Sequence, residues 1–396
     1  MKQAYLTLFT FVFFSCIDGN SDELKFEKID SKNSEILEIF SSDLNGIGKT
    51  ETYSIPVILP LPLASQNSSI VIFDFADKQL KQFLPGGIYQ SFNPLEEGPN
   101  RLGGSFFKGV GYLDGRTDSV LISSNTMVKS YDLTTKTIGS ISYDNFDTCP
   151  SFNNSFSQIF SFGTPEDGII ITQNGSPCYD LNELFSSVTL DNFSEKFYAR
   201  IKSMKSGEVK YSLQLPKLPM DNLYERFRLY LTYSPSNDRF YAMLNPMTYL
   251  FEFKFDKKNL EFELLNTWDL EMRFSALPVD YFIEEKHNTQ ASNLSLDYNF
   301  EINFIDSFQD QLFISYLPSK ELAYENVDDA PFSSHNLLAI VDLKDKNIKT
   351  YAFNYYEIQF FGATSDGIWL YDVRTSEQGG KSIFKIIPHS SIELLR

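Results

Sequence analysis

The chain has 396 residues, with 34 Lys and Arg against 52 Asp and Glu, for a formal net charge of −18. Apolar residues at 42% can bury a large core, which excludes wholesale disorder. The acidic balance leaves no basic stripe to displace phosphate counterions and so excludes nucleic acid as a partner.

Met1 to Cys16 reads as an export signal. Lys2 gives the positive start, Ala4 to Phe14 is mostly apolar, and the polar run from Asp18 to Glu23 follows at once. The apolar stretch is too short to cross a bilayer, which takes about 20 residues, and it suits a signal-peptide core. Ser15 and Cys16 form a junction that resembles a bacterial lipobox, in which a small residue precedes the scissile bond and the cysteine thiol takes the diacylglycerol. Phe13 stands where leucine is usual. The alternative is ordinary secretion with cleavage near Ser15. The expected organisation is a signal peptide over 1–15, lipidated Cys16 with a polar tether over 16–23, and one domain over 24–396. The acyl chains alone would hold the protein on the membrane.

Along the body, a turn residue recurs before a short apolar burst. The pattern precedes VLIS at Asp118, IIIT at Asp167, FYAM at Asp238, LFIS at Asp310 and IWLY at Asp366, with a weaker copy, IVIF, after Ser68-Ser69. Strand–turn–strand segments start at Phe73, Tyr131, Ile201, Phe253, Val341 and Lys385, each alternating apolar and polar residues around a polar turn. Strand plus hairpin, repeated every 50–70 residues or so, predicts an all-β fold, a β-propeller of six blades. The 37 Phe and 22 Tyr suit packing between blades. The last hairpin reaches the chain end, so the ring needs an N-terminal strand to close it. The candidates are 24–29, 35–40 and 52–59. Seven or eight blades, a sandwich pair and a β-solenoid are the competing folds. Short helical excursions are expected at 181–188 and 221–230.

A lipobox, an acidic tether and a body of β-hairpin repeats together resemble the propeller-like envelope lipoproteins of Bacteroidota, an uncharacterised family of unknown function. The resemblance spans the whole chain and implies a fold and a location, outer-membrane or surface. It supplies no catalytic residues.

The stretch 86–115 holds eight of the chain's 20 glycines, together with Glu96, Asn100 and Arg101. A long loop of this kind can lie over a propeller's channel, where Arg101 would pair with a carboxylate or sugar-acid group; the bland reading is a loop that only packs on the face. No Gly-Lys-Ser/Thr follows, so it is not a phosphate loop. Cys149 and Cys178 sit among turn residues and are expected to form a disulfide in an oxidising envelope.

Catalytic patterns are absent from the sequence. It has no Gly-x-Ser-x-Gly, and its three histidines, His287, His335 and His389, lie in a charge run, a serine-rich turn and the last hairpin turn. Carboxylates and amides such as Glu325, Asp328 and Asp329, or Glu96 with Asn100, are the candidates for a metal site. The expected function is a non-catalytic binding or scaffold propeller on the envelope, with a protein, peptide or glycan ligand and no cofactor. The alternative is a metal-dependent propeller hydrolase or lactonase, with calcium in its central channel. A surface partner of a nutrient importer is a third reading.

Overall fold

The computed structural model describes residues 25–93, 107–143, 157–173, 197–216, 228–273, 301–318, 335–373 and 380–394, apart from short breaks within them. Its strands follow one another in repeating sets. Three come first: β1 (Glu27–Asp30), β2 (Ile36–Ile39) and β3 (Lys49–Tyr53). Then come β4 (Pro60–Gln66), β5 (Ser69–Asp74), β6 (Gln79–Leu84) and β7 (Ile88–Phe92). The next set is β8 (Phe107–Tyr112), β9 (Ser119–Ser124), β10 (Val128–Asp132) and β11 (Thr137–Tyr143). After it run β12 (Ser157–Phe162), β13 (Ile169–Gln173), β14 (Ala199–Ser203) and β15 (Val209–Ser212). They are followed by β16 (Arg228–Ser234), β17 (Arg239–Asn245), β18 (Tyr249–Asp256) and β19 (Glu261–Glu271). Two further sets are β20 (Glu301–Phe308), β21 (Gln311–Leu317), β22 (His335–Asp342) and β23 (Asn347–Asn354), then β24 (Ile358–Thr364), β25 (Gly367–Asp372) and β26 (Ser382–Ile387).

Within each set from β4 onward the strands pair as an antiparallel meander. The sets β8–β11 and β12–β15 merge into one eight-stranded sheet through a short parallel contact, Ser157 opposite Gly109 and Gln158 opposite Val110. The first strands neighbour one another in the order β4, β8, β12, β16, β20, β24 and back to β4. This all-β arrangement is propeller-like, as the repeats predict.

Packing explains the apolar bursts. Each burst is the second strand of its set, and its two faces enter different apolar clusters. On β17, Phe240, Ala242 and Leu244 pack toward β12–β15, while Tyr241 and Met243 pack toward β20–β23. On β25, Ile368 and Leu370 pack with β20–β23, while Trp369 and Tyr371 pack with β4–β7. A strand covered on both faces reads as a continuous apolar run, whereas an outer strand alternates. The clusters between neighbouring sets are the core of the protein.

Three hairpin turns share a local code, one between the second and third strands of its set (after β5) and two between third and fourth strands (after β18 and β22). Asp74, Asp256 and Asp342 each accept backbone N–H groups two or three residues on, at Ala76, at Lys258 and Asn259, and at Lys344 and Asp345. Four residues after each Asp, the chain turns through positive φ, at Lys78, Leu260 and Lys346. The side chain supplies the acceptor that the turning backbone lacks. The turn after β14 repeats this with Ser203, whose hydroxyl accepts from Ser206, and with Gly207 at φ 71°.

The N-terminal candidates part company. β1 adds in parallel to β19, β2 adds in parallel to β23, and β3 pairs antiparallel with β26, from Ser382 opposite Tyr53 to Ile386 opposite Lys49. The expected hairpin from Lys385 does not form. Pro388 lacks an N–H and ends β26, and His389–Leu394 wind into a 3-10 turn instead. The expected helix over 221–230 is also not a helix where it is described, since Arg228 to Tyr230 begin β16. Residues 181–188 and 221–227 lie outside the described residues.

The glycine-rich stretch is not one loop. Gly86 and Gly87 form the tight turn between β6 and β7, and Gly109 and Gly111 belong to β8. A Cβ on Gly111 would lie 1.7 Å from the Ile159 carbonyl oxygen, so glycine is what lets β8 and β12 approach at the centre.

Candidate functional site

The first strands converge on a central cavity of about 550 Å³. Each contributes its end nearest the turn to the second strand: Ser65 and Gln66 from β4, Tyr112 from β8, Ser161 and Phe162 from β12. Thr232 and Tyr233 come from β16, Asp306 and Phe308 from β20, and Thr364 from β24. The turn residues Pro235, Ser236, Gln309 and Ser365 are exposed and form the rim, while Thr232, Asp306, Ser307 and Thr364 are buried and form the floor.

The backbone is irregular where the site requires it. β4, β8, β20 and β24 each carry a β-bulge against the second strand, between Pro62 and Ala64, Phe107 and Gly109, Ile302 and Phe304, and Phe360 and Gly362. A bulge bends the strand and re-aims its side chains. Gly362 has φ 149°, and a Cβ there would meet Ser65 Cβ at 2.9 Å and Asp306 Oδ2 at 3.2 Å.

Asp306 joins three sets of strands. Its Oδ2 contacts Ser65 Oγ of β4 and accepts the Ala363 N–H of β24 at 2.8 Å, while Oδ1 accepts the Ser307 N–H at 2.9 Å. Burial pushes its carboxyl up to about 6, against the hydrogen bonds from Ser65, Ala363 and Ser307, which pull it down. Ser65 Oγ also lies 3.1 Å from the Ala363 carbonyl oxygen. A protonated Asp306 can therefore donate to Ser65, which donates onward to Ala363.

This raised carboxyl makes a pH prediction. The native state holds the Asp306 proton more tightly than the unfolded chain, whose value is 3.8. The stabilisation is complete below about pH 4 and is lost as pH rises through about 6. The loss is of order 3 kcal/mol for a shift of this size. Asp306→Asn should flatten that part of the stability–pH curve in urea titrations from pH 4 to 7, whatever its constant offset. A wild-type curve parallel to the variant's would contradict the assignment.

Aromatic groups and one ammonium line the mouth. Phe308 stacks on His389 at 4.1 Å with rings nearly parallel, and His389 Nε2 bonds the Thr364 carbonyl at 2.7 Å. Burial lowers the His389 pKa, partly offset by that hydrogen bond. Lys257, on the turn between β18 and β19, holds Nζ 4.5 Å above the Phe162 ring. Asp238 is 3.8 Å from that Nζ and itself accepts the Tyr233 hydroxyl at 2.7 Å.

Of these residues the sequence marks Asp238 as a repeat turn and His389 as a histidine of the last hairpin turn, and neither as a site residue. Cys16, Glu96, Asn100, Arg101, Cys149 and Cys178 lie outside the described residues, as do His287, Glu325, Asp328 and Asp329. His335 opens β22, its backbone opposite Asn354. Among the described residues, no group of three or more His, Cys, Asp or Glu could hold a metal ion, and no helix is long and apolar enough to cross a membrane.

Fold and cavity together define a propeller-like protein with a central, mixed polar and aromatic cavity. No family model and no curated protein matches the sequence. The fold is similar to that of a DUF4221-family member from Bacteroides vulgatus, at 12% identity and TM-score 0.56, covering 86% of this chain and 96% of that one. Weaker similarity links it to a protein from Bacteroides fragilis described as exported, at 12% identity and TM-score 0.47 over 93% and 94% of the two chains. A calcium-binding regucalcin from Agrobacterium tumefaciens aligns at 11% identity and TM-score 0.42 over 90% and 96%. The likeness to the DUF4221 member is one of fold.

Proposed function

We propose that this protein is an exported lipoprotein of the bacterial envelope whose propeller, six-bladed and closed by β3, binds a small ligand in its central cavity without chemically altering it. One observation carries the reading: every set of strands turns the end of its first strand toward the same cavity. A pocket of a few hundred Å³, apolar and aromatic with a few placed polar groups, is what orients a small molecule. The lactonase alternative needs several oxygen ligands around one ion, six to eight for calcium. Asp306 is the carboxylate of the described lining, and both of its oxygens are already engaged.

The closure by β3 is supported from both sides. β3 pairs with β26, Glu51 accepts the N–H groups of Gly86 and Gly87 at 3.1 and 3.0 Å, and Tyr53 donates to the Leu84 carbonyl at 2.7 Å. Burial raises the Glu51 pKa, but Lys49 and those two N–H groups outweigh it and hold the carboxyl below its usual range.

Glu96, Asn100 and Arg101 are proposed as further ligand contacts on chemical grounds alone, because a guanidinium flanked by a carboxylate and an amide can pair with a carboxylate or sugar-acid group. The Cys149–Cys178 bridge is proposed because these are the two cysteines left once Cys16 is lipidated, and they would enter an oxidising compartment together. Cys16→Ser should abolish labelling by a clickable fatty acid and release the protein from the membrane fraction; equal labelling of the variant would refute the anchor.

The binding reading is tested on intact protein purified from native membranes. Denaturation should release a small molecule that mass spectrometry finds enriched over an unrelated lipoprotein. Fresh protein incubated with that compound should return it unchanged; conversion to product would establish an enzyme instead.

A further inference from the structure

We infer that the central cavity takes a sugar acid, a hydroxylated six-membered ring bearing one carboxylate, with the carboxylate at Lys257 and the ring hydroxyls toward the floor. The inference rests on the cavity being a binding site. Three features of the lining lead to it.

The first is charge. The chain carries a net −18, a field that repels small anions, yet the rim of its cavity presents an ammonium. Lys257 comes from the turn between β18 and β19 and reaches across to Phe162 on β12. The ring face holds the cation in place without neutralising it. The Asp238 carboxylate is 3.8 Å away, half exposed, and already accepts the Tyr233 hydroxyl. A cation placed this way can take a ligand carboxylate as a charge-assisted hydrogen bond.

The second is the floor. On it and on the wall just above, Ser65, Ser161, Thr232 and Ser307 present hydroxyls and Gln158 an amide, while the Asp306 carboxyl is turned to backbone N–H groups through both oxygens. Gln158 Nε2 donates to the Ile305 carbonyl at 3.4 Å, Ser161 donates to the Tyr112 carbonyl at 3.1 Å, and Thr232 and Ser307 share a bond of 3.3 Å. A hydroxyl that donates within the wall still has lone pairs for a ligand hydroxyl. A flat apolar acid would bury this floor without replacing its water, which costs free energy for every group left unmet.

The third is the wall and the size. Phe160, Tyr233 and Phe308 are partly exposed around the mouth. Their rings can cover the C–H face of a pyranose while its edge of hydroxyls points inward. A cavity of about 550 Å³ has room for one or two such rings. A neutral sugar would make no use of Lys257, and an aromatic acid would make no use of the floor.

The test is calorimetric titration and ligand-observed NMR on the full chain. The probes are glucuronate, galacturonate and mannuronate, with glucose and phenylacetate as controls. At least one uronate should bind saturably, and glucose and phenylacetate at least tenfold more weakly. Lys257→Met should weaken the uronate at least tenfold and Lys257→Arg should restore most of it, with melting temperatures unchanged. Thr232→Val should weaken it severalfold. No saturable uronate binding at 10 mM, equal binding of either control, or indifference to Lys257→Met would overturn the inference. If the compound released from native protein is of another class, the sugar acid falls while the binding site stands. If nothing is released and no uronate binds, both fall.

Discussion

Lys81→Ala should lower the unfolding free energy by about 3–5 kcal/mol at pH 7. Lys81 and Asp74 have side chains only 1% exposed, and their charged atoms are 2.6 Å apart. Lys81 also reaches Asp77 at 2.5 Å and donates to the Pro56 carbonyl at 2.9 Å. Removing the ammonium leaves the Asp74 carboxylate buried without its countercharge, the costly way to break such a pair. Replacing both partners, as Asp74→Asn with Lys81→Met, should recover part of the loss, because no charge is left buried without its partner and the asparagine oxygen can still accept the Ala76 N–H. Urea denaturation of the two variants gives the comparison. A single-variant loss below about 1 kcal/mol would mean that water reaches this pair.

Tyr53→Ala should cost a similar amount, about 3–5 kcal/mol. The ring is buried between Phe83 and Phe384, with centroids 4.8 and 5.7 Å away, and the hydroxyl bonds Leu84. It therefore joins β6 to β26 through β3. Tyr53→Phe should cost about 1 kcal/mol, the worth of the hydrogen bond alone. If β3 closes the ring, the alanine variant should also speed hydrogen exchange in both β4–β7 and β24–β26. Faster exchange confined to β3 would show a strand that only decorates the edge.

How much of this was legible follows from periodicity. The second strands announced themselves because both of their faces are buried, and the hairpins because Asp, a polar turn and alternation repeat. First strands did not. β4 contains Pro60 and Pro62, β8 contains Gly109 and Gly111, and four of these strands carry bulges that shift alternation by one residue. The cavity is built on those strands, so it was hidden with them. Ser65 and Asp306 meet across 241 residues of sequence, and no local pattern signals that contact. The lysine on the rim looked like one more polar turn residue. Pro388 was a legible stop signal, and it outweighs the alternation that suggested a final hairpin.

The most direct measurement is ligand retention by a protein whose cavity mouth is blocked. Ser236 and Ser365 are exposed turn residues on the rim, so tryptophan at both fills the opening without disturbing the core. The double variant Ser236→Trp/Ser365→Trp, purified from native membranes with an unchanged melting temperature, should release none of the compound carried by the wild-type protein. Release of the same compound in the same amount would contradict a central binding site.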